Sequence, residues 1–246
     1  TPYAGVDGGP HFRRHGSGSQ AEPRAAYAAM VQTLDEYVGE IVARLDALGL
    51  RENTLILFSS DNGPHREGGH DPAAFQSAGP LRGIKRDLYE GGIRAPLIAS
   101  WPGRIPAGRT SDHLCAQWDM MATFAELIGR PAAAATDGVS LLPTLLNQPG
   151  QRRHEYLYWE FHENDGRVAV RRGDWKAIRQ QVAVDPNGPL ELYNLAEDPG
   201  ESRDVAEEYP QLVAELDQLM RAARTPSPDA RFNFPRAKTG EGAATP

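Results

Sequence analysis

A helical repeat that runs into a short, fully apolar segment sets the strongest limit on how this chain folds. Apolar residues recur at helical spacing through residues 24–48, and Gly49 stands where the C-terminal cap of a helix is expected. Residues 55–58 then form a continuous apolar run. A helix followed by such a run is typical of a strand buried on both faces of a parallel sheet. We therefore predict an α/β fold.

The next part of the chain continues this pattern. Residues 95–100 predict a second buried strand, and helical spacing returns at residues 117–129 and 140–146. We assign residues 1–147 to part of a mainly parallel, helix-flanked sheet.

The character of the sequence changes after residue 147. Short strand-like runs, separated by turn signals, occur at residues 155–161, 167–170, 175–179 and 191–193. An amphipathic helix is predicted at residues 209–223, and the tail beyond it is expected to be irregular. Residues 148–246 are therefore predicted to form a smaller subdomain with an antiparallel sheet and a helix.

Charge and composition exclude several classes of partner. The formal net charge is −7 at pH 7, so we expect no nucleic-acid partner. No apolar stretch approaches the roughly 20 residues that a membrane helix needs, so we expect no membrane span. Cys115 is the single cysteine, which excludes an intrachain disulfide and a cysteine-rich zinc site.

Asp61 and Asn62 directly follow the first predicted strand, which is where open α/β sheets place their sites. Carboxylate and amide oxygens are ligands that calcium and magnesium prefer, and Gly63 lets the backbone turn so that the two side chains converge. A metal site is therefore one interpretation. The other is a hairpin turn at Asn62-Gly63, which requires a second strand immediately afterwards.

Lys85 lies in a segment that glycines and prolines shape into a tightly turned loop. A fixed ammonium group there would bind the tetrahedral oxygens of a sulfate or phosphate ester and offset the charge that develops during cleavage. The alternative is an ordinary surface lysine. Glu90 and Arg94 are predicted to form an ion pair inside this loop. Arg82 and Arg86 are candidates to assist Lys85, but solvated positions are expected for both.

Four motifs carry a resemblance to a known family. Ser-Asp-Asn-Gly at residues 60–63 precedes Gly-x-Lys-x-x-x-x-Glu-Gly-Gly-x-Arg-x-Pro at residues 83–96. Gly-Asp-Trp-Lys at residues 173–176 and Leu-Tyr-Asn-Leu-x-x-Asp-Pro-Gly-Glu at residues 192–201 follow. In order and spacing they resemble the second half of a sulfatase. The resemblance covers about residues 24–210 and implies an alkaline-phosphatase-like sheet.

The resemblance also implies roles for individual residues. Asp61 and Asn62 would be two of the protein ligands of one divalent metal ion, calcium. Lys85 would contact the sulfate group and act in catalysis. In the family, a hydrated formylglycine attacks sulfur, the alcohol leaves, and the sulfated intermediate then releases sulfate.

The formylglycine of sulfatases is made from the first residue of an amino-terminal Cys/Ser-x-Pro-x-Arg signature. No such signature can be placed in this sequence, since Cys115 lacks the Pro and Arg that should follow it, and the family's early pair of metal-binding aspartates cannot be placed either. We therefore expect this chain to be the carboxyl-terminal part of a longer enzyme whose upstream part carries formylglycine. The isolated chain is expected to be inactive.

The residues between the two motifs offer further candidates. His65, Glu67 and His70 would reach the leaving group of a substrate, as a general acid or as ligands of a sugar hydroxyl. The alternatives are solvated loop positions or local hydrogen bonding. Structural roles are expected for four other residues: His113, His154, His162 and Cys115.

These observations favour a sulfuric ester hydrolase that acts on a carbohydrate or aryl sulfate ester. A sulfated small molecule or sulfated glycan would be the partner, and periplasmic or secreted location is an expectation from the family alone. One alternative is a phosphoester or phosphonate hydrolase of the same superfamily. The other is a non-catalytic relative that binds calcium or glycans.

Overall fold

The computed structural model of the chain describes residues 21–131 and 136–234, which belong to two units. Of the described residues, 21–77, 95–131 and 136–154 form the first unit. Residues 78–94 and 155–234 form the second. The segment that carries Lys85 therefore belongs to the second unit, although the first unit surrounds it in sequence. The predicted domain border after residue 147 stays a prediction.

The structure contains the predicted helices and strands, with ends shifted by one or two residues. The α-helices of the described residues are α1 (Pro23–Ala47), α2 (Glu90–Ile93), α3 (Asp119–Leu127), α4 (Leu142–Leu145) and α5 (Pro210–Ala223). The strands are β1 (Ile56–Ser59), β2 (Leu97–Ser100), β3 (Leu157–Phe161), β4 (Arg167–Arg172), β5 (Trp175–Gln180) and β6 (Glu191–Asn194). Within residues 21–131 and 136–234, no helix has the length and apolar content that crossing a membrane requires.

Helix α1 begins and ends where the sequence predicts, but its apolar side is not buried. Gly49 has φ +66° and its N–H donates to Asp46 O, so the left-handed residue stops the helix. Met30 is 70% exposed and Ile41 57% exposed, and Leu34 and Tyr37 are similarly open. Contacts from the other described residues therefore do not cover the apolar stripe that predicted the helix.

Strands β1 and β2 pair with each other, and the pairing is antiparallel, with Ile56 opposite Ser100 and Ser59 opposite Leu97. The predicted parallel sheet is thus not confirmed within the described residues. Burial on both faces is also wrong for β2, since Ile98 is 59% exposed. An apolar run of four residues identifies a strand, but its direction depends on where the intervening chain returns.

Asp119 organises the helical part of the first unit. Its carboxylate is fully buried and accepts hydrogen bonds from the backbone N–H groups of Ala116 and Val139 at 2.8 Å each. His154 Nε2 lies 2.8 Å from Asp119 Oδ1. Buried carboxylates require such partners. His154 therefore has the structural role that was expected for it.

The second unit is built on a four-stranded antiparallel sheet in the order β3-β4-β5-β6, as predicted. The two faces carry alternate residues of each strand. Val168, Val170, Ala177 and Leu192 pack with Leu216 and Met220 of α5. On the other face, a second core contains Leu88 of the Lys85 segment together with Ala169, Ile178, Tyr193 and Leu195. The sheet is therefore the base on which the Lys85 segment is held.

Candidate active site

The Asp61-Asn62 pair lies in the first unit, just beyond the end of β1. Ser60 Oγ donates to Asn62 O at 2.8 Å, and Gln117 Nε2 donates to Ser60 O at 2.7 Å. These bonds hold the turn. A hairpin at Asn62-Gly63 is wrong, because β1 pairs with β2, which lies far along the chain.

Both side chains keep oxygen atoms available for a cation. Asn62 Nδ2 donates to Gly63 O at 2.8 Å, and no donor among the described residues reaches the amide oxygen of Asn62. Asp61 is exposed, and none of the described residues donates to its carboxylate or forms an ion pair with it. The chemistry of these two donors fits calcium.

The described residues do not complete a metal site around this pair. In residues 21–131 and 136–234 there is no group of three or more His, Cys, Asp or Glu side chains arranged to hold a metal ion. Asp61 and Asn62 therefore fit as part of a ligand set.

His65 and Glu67 are close neighbours in the loop that follows. The backbone N–H of Glu67 donates to His65 Nδ1 at 2.9 Å, and Glu67 Oε2 lies 3.5 Å from the same ring nitrogen. Both side chains are partly exposed. Their assignment as substrate contacts stays a prediction, and a local hydrogen-bonding role is present in addition.

His70 is packed more deeply than its neighbours, with 6% of its surface exposed. Its ring stacks on Tyr27 of α1 at a centroid distance of 3.7 Å, and Nε2 lies 3.3 Å from Ser77 Oγ. Burial lowers the pKa of His70, His65 lowers it further and Asp71 opposes the shift. The neutral ring anchors this loop to α1, while a substrate contact by His70 stays a prediction.

Lys85 lies in the second unit on a closed turn. Asp87 Oδ2 accepts the backbone N–H of Ile84 at 2.9 Å, and the Asp87 N–H donates to Ile84 O at 2.8 Å. Between them, Arg86 has φ +81°, a left-handed conformation that strains a non-glycine residue. Lys85 is partly exposed, and none of the described residues pairs with its ammonium group. Its charge is therefore open to an external anion.

Two glycines of the Glu-Gly-Gly motif pack directly against this turn. A Cβ at Gly91 would lie 2.5 Å from the carbonyl oxygens of both Arg82 and Gly83. A Cβ at Gly92 would lie 2.6 Å from Ile84 O and still closer to Asp87 O. Glycine is required at both positions because the backbone on either side of Lys85 leaves no room for a side chain.

Glu90 has more partners than the sequence indicated. The predicted ion pair with Arg94 is present at 3.7 Å. Lys176 Nζ, however, donates to Glu90 Oε1 at 2.9 Å and lies 2.9 Å from Glu201 Oε1. Arg171 Nη1 donates to Glu90 Oε2 at 3.2 Å. Lys176 and Glu201 are the last residues of two of the motifs quoted above. Their membership of these motifs was the only sequence signal that could have identified them as functional residues.

The expectation of solvated positions for Arg82 and Arg86 is wrong in part. Arg82 remains exposed at the residue level, but its guanidinium lies 3.9 Å from the centre of the Tyr89 ring and donates to Tyr193 Oη and Glu201 O at 2.9 Å each. Arg86 donates to Glu163 Oε2 at 3.1 Å. Long-range partners, which the local sequence does not reveal, hold both residues.

The tyrosine hydroxyls below Arg82 are held neutral. Tyr89 Oη donates to Glu191 Oε2 at 2.6 Å, and Tyr193 Oη donates to the same oxygen at 2.8 Å. Burial and the Glu191 carboxylate raise the pKa of Tyr89 to about 12. The pKa of Tyr193 is raised by the same causes. Both hydroxyls therefore keep their protons and support the loop as donors.

The expectation that no formylglycine signature can be placed is wrong by letters alone, because one five-residue stretch matches it. Ser100-Trp-Pro-Gly-Arg104 has the form Ser-x-Pro-x-Arg, but it follows the Lys85 segment instead of preceding Asp61. Ser100 ends β2, and its hydroxyl accepts a hydrogen bond from Arg51 Nη2 at 2.7 Å. We assign it a structural role at the end of the strand.

Comparison with known proteins identifies the family. The sequence profile described as "Sulfatase" matches residues 7–130, and the profile described as "N-sulphoglucosamine sulphohydrolase, C-terminal" matches residues 84–225. The chain belongs to the sulfatase family.

Individual relatives agree with this assignment. The chain is 33% identical to N-acetylgalactosamine-6-O-sulfatase of Bacteroides thetaiotaomicron, over 80% of this chain and 41% of the relative. It is 32% identical to human arylsulfatase A, over 85% of this chain and 46% of the relative. The chain thus spans less than half the length of these relatives.

Solved structures resemble the chain over the same extent. BT4656, solved in complex with its substrate D-glucosamine-2-N,6-O-disulfate, has a TM-score of 0.65 and 27% identity, covering 82% of this chain and 40% of its own. The PsFucS1 sulfatase from Pseudoalteromonas sp. has a TM-score of 0.61 and 29% identity, covering 79% and 41%. The fold of the described residues is therefore that of part of a sulfatase.

Proposed function

We propose that the protein carrying this chain is a sulfuric ester hydrolase that releases sulfate from a sulfated carbohydrate. The observation that carries this proposal is the Lys85 turn. In a chain of the sulfatase family, a braced loop holds an ammonium group that has no counter-ion among the described residues.

Lys85 would bind the oxygens of the sulfate group. A fixed positive charge stabilises negative charge that develops on an oxyanion more effectively than mobile water does, because it needs no reorganisation during the reaction. Its rigid support matters for the same reason. The turn closed by Asp87 and the close packing of Gly91 and Gly92 hold the backbone that carries Lys85.

Asp61 and Asn62 would contribute two oxygen ligands to a calcium ion. A bound divalent cation polarises the sulfate oxygens as a Lewis acid. Within residues 21–131 and 136–234, nothing donates to the carboxylate of Asp61 or to the amide oxygen of Asn62, which supports this assignment. We expect the nucleophile in an upstream part of the protein, so we assign the nucleophilic step to none of the residues of this chain.

Two kinds of substrate remain to be separated by experiment. The relatives named for N-acetylgalactosamine-6-O-sulfate and for a disulfated glucosamine support a sulfated sugar, and the name arylsulfatase A supports an aryl sulfate. We favour the sugar because His65 and Glu67 offer polar groups suited to hydroxyls. Assay of the full-length protein on sulfated amino sugars, an aryl sulfate and an aryl phosphate tests this. Turnover of the phosphate alone would contradict the proposal.

Replacing Asp61 with alanine in the full-length protein is expected to weaken calcium binding by at least about tenfold, because a charged oxygen ligand is lost. Calorimetric titration of calcium into the metal-depleted protein measures this. Asp112 is an exposed aspartate of the same unit, and Asp112→Ala provides the matched control, which should bind calcium as the parent protein does. Equal affinities for the parent and Asp61→Ala would contradict the ligand role.

The 246-residue chain alone is expected not to turn over p-nitrophenyl sulfate, since it has no nucleophile signature ahead of Asp61. The release of p-nitrophenol by the chain and by the full-length protein should be compared at equal molar concentration, with the folded state of each checked by circular dichroism. Sulfate release by the chain alone would overturn this expectation.

A further inference from the structure

We propose that Lys176 is a positioning residue for Lys85, acting through a buried charge cluster formed by Glu90, Lys176 and Glu201. The inference rests on the proposed function, in which Lys85 contacts the sulfate group. Lys176 lies on β5, 91 positions after Lys85 in the sequence (176 minus 85). The inference adds it to the residues that position the Lys85 ammonium group.

The cluster lies at the base of the Lys85 loop and is closed to solvent. Lys176 and Glu201 are each 0% exposed, and Glu90 is 2% exposed. The Lys176 ammonium group lies 2.9 Å from a carboxylate oxygen of each glutamate. Removing one partner of such a buried charge cluster strongly destabilises a protein. Replacing all the charged residues with well-packed apolar residues, however, often leaves the protein as stable as before. Stability alone therefore does not explain why charged groups occupy this place.

Glu201 holds both ends of the segment that contains Lys85. Its Oε2 accepts the backbone N–H of Glu90 at 2.6 Å, and its backbone carbonyl accepts from Arg82 Nη1 at 2.9 Å. The Lys176 ammonium group forms ion pairs with the carboxylates of both Glu201 and Glu90. Residues 82 and 90, which bracket Lys85, are thus tied to one buried centre.

Direct backbone contacts connect the segment that begins at Glu90 to the turn that carries Lys85. Gly91 N–H donates to Arg82 O at 2.6 Å. Gly92 lies against the carbonyl groups of Ile84 and Asp87 without space for a side chain. Displacement of Glu90 therefore moves the residues on each side of Lys85. A displacement of about 1 Å in a positioning group can cost as much as about 100-fold in rate.

The test uses Lys176→Met in the full-length enzyme, alone and combined with Lys85→Ala. Glu201→Gln, likewise alone and combined with Lys85→Ala, serves as a milder second variant, because its amide oxygen still accepts from the Glu90 N–H. The matched control is Arg179→Met. Arg179 lies on the same strand, is 5% exposed and pairs with Asp217 at 2.9 Å. Its hydrogen bond and ion pair within the described part of the chain go to Gly188 and Asp217 and not to Glu90 or Glu201.

The readouts are kcat/KM for a sulfate ester, the inhibition constant of inorganic sulfate, and the melting temperature. The kinetics are measured at a temperature at which each variant is folded. Lys176→Met and Glu201→Gln are expected to lower kcat/KM and weaken sulfate inhibition by at least about tenfold. In the Lys85→Ala background, the same substitutions should change kcat/KM by less than about twofold, because they act through Lys85. Arg179→Met should lower the melting temperature with little change in sulfate inhibition.

Each outcome separates this inference from the proposed function. If Lys85→Ala leaves activity near normal, the proposed function is wrong. If Lys85→Ala is inactivating but Lys176→Met and Glu201→Gln lose activity equally in both backgrounds, or lose only melting temperature, the positioning role is wrong. Loss of folding by Lys176→Met leaves the decision to Glu201→Gln.

Discussion

Replacing Lys85 with alanine in the full-length protein is expected to lower kcat/KM for a sulfate ester by about 100- to 1000-fold, as removal of one oxyanion-stabilising group does in other hydrolases. The cause is loss of a cationic side chain whose ammonium group pairs with none of the described residues. Inhibition by inorganic sulfate should weaken in parallel, because the product carries the same oxygens. Initial rates and sulfate inhibition constants measure both effects.

The control for this experiment is Arg203→Ala. Arg203 belongs to the same unit, and its side chain is 70% exposed in an ion pair with Glu208, so its removal changes the net charge equally but is expected to leave kcat/KM within about twofold. Near-normal rates for Lys85→Ala, with the melting temperature unchanged, would contradict the role assigned to Lys85.

Replacing Gly92 with alanine is expected to destabilise the second unit by about 1–3 kcal/mol or more and to displace the Lys85 turn. The added methyl group would meet Ile84 O at 2.6 Å and Asp87 O closer still. Both obstacles are backbone atoms, so they cannot rotate away as a flexible side chain can. Thermal unfolding measures the stability, and kcat/KM measures the displacement.

Gly39→Ala on α1 is the matched control for Gly92→Ala. Nothing lies within 4 Å of a Cβ at Gly39, and alanine in a helix interior is more stable than glycine by about 0.5–1 kcal/mol. This substitution should therefore be neutral or stabilising. A Gly92→Ala protein that unfolds at the parent temperature and retains full activity would show that the turn can shift without consequence.

Helix α1 illustrates how far periodicity carries a prediction. The spacing of apolar residues located the helix within one residue at each end, because the helical repeat is a local property. The same spacing predicted a buried face, yet Met30 and Ile41 are mostly exposed in the described part of the chain. A pattern identifies the side of a helix that packs, but not the element that covers it.

Strands β1 and β2 mark a second limit. Their apolar runs were sufficient to locate them, whereas the parallel arrangement inferred from a helix–strand succession was not confirmed. The hydrogen-bonded register joins Ile56 to Ser100 and Ser59 to Leu97. Strand direction is set by the path of the roughly 40 residues between them, and hydrophobic runs contain no record of that path.

The sequence by itself determined the helices and strands, the family and the two loops that carry Asp61, Asn62 and Lys85. These features depend on residues close together in the chain: apolar spacing, strand ends and glycines that permit tight turns. The Gly91-Gly92 pair was also recognisable as part of a motif. The backbone contacts that require glycine at these two positions became apparent only in the structure.

Only the tertiary structure decided what supports Lys85. Lys176 and Glu201 reach Glu90 across separations of 86 and 111 residues, and Arg82 finds Tyr193 across 111. No local pattern predicts such pairs, because a lysine or glutamate reads as a solvated surface residue until the fold removes water from it. The physical reason is burial: folding brings distant charges together in a place where each must have a partner.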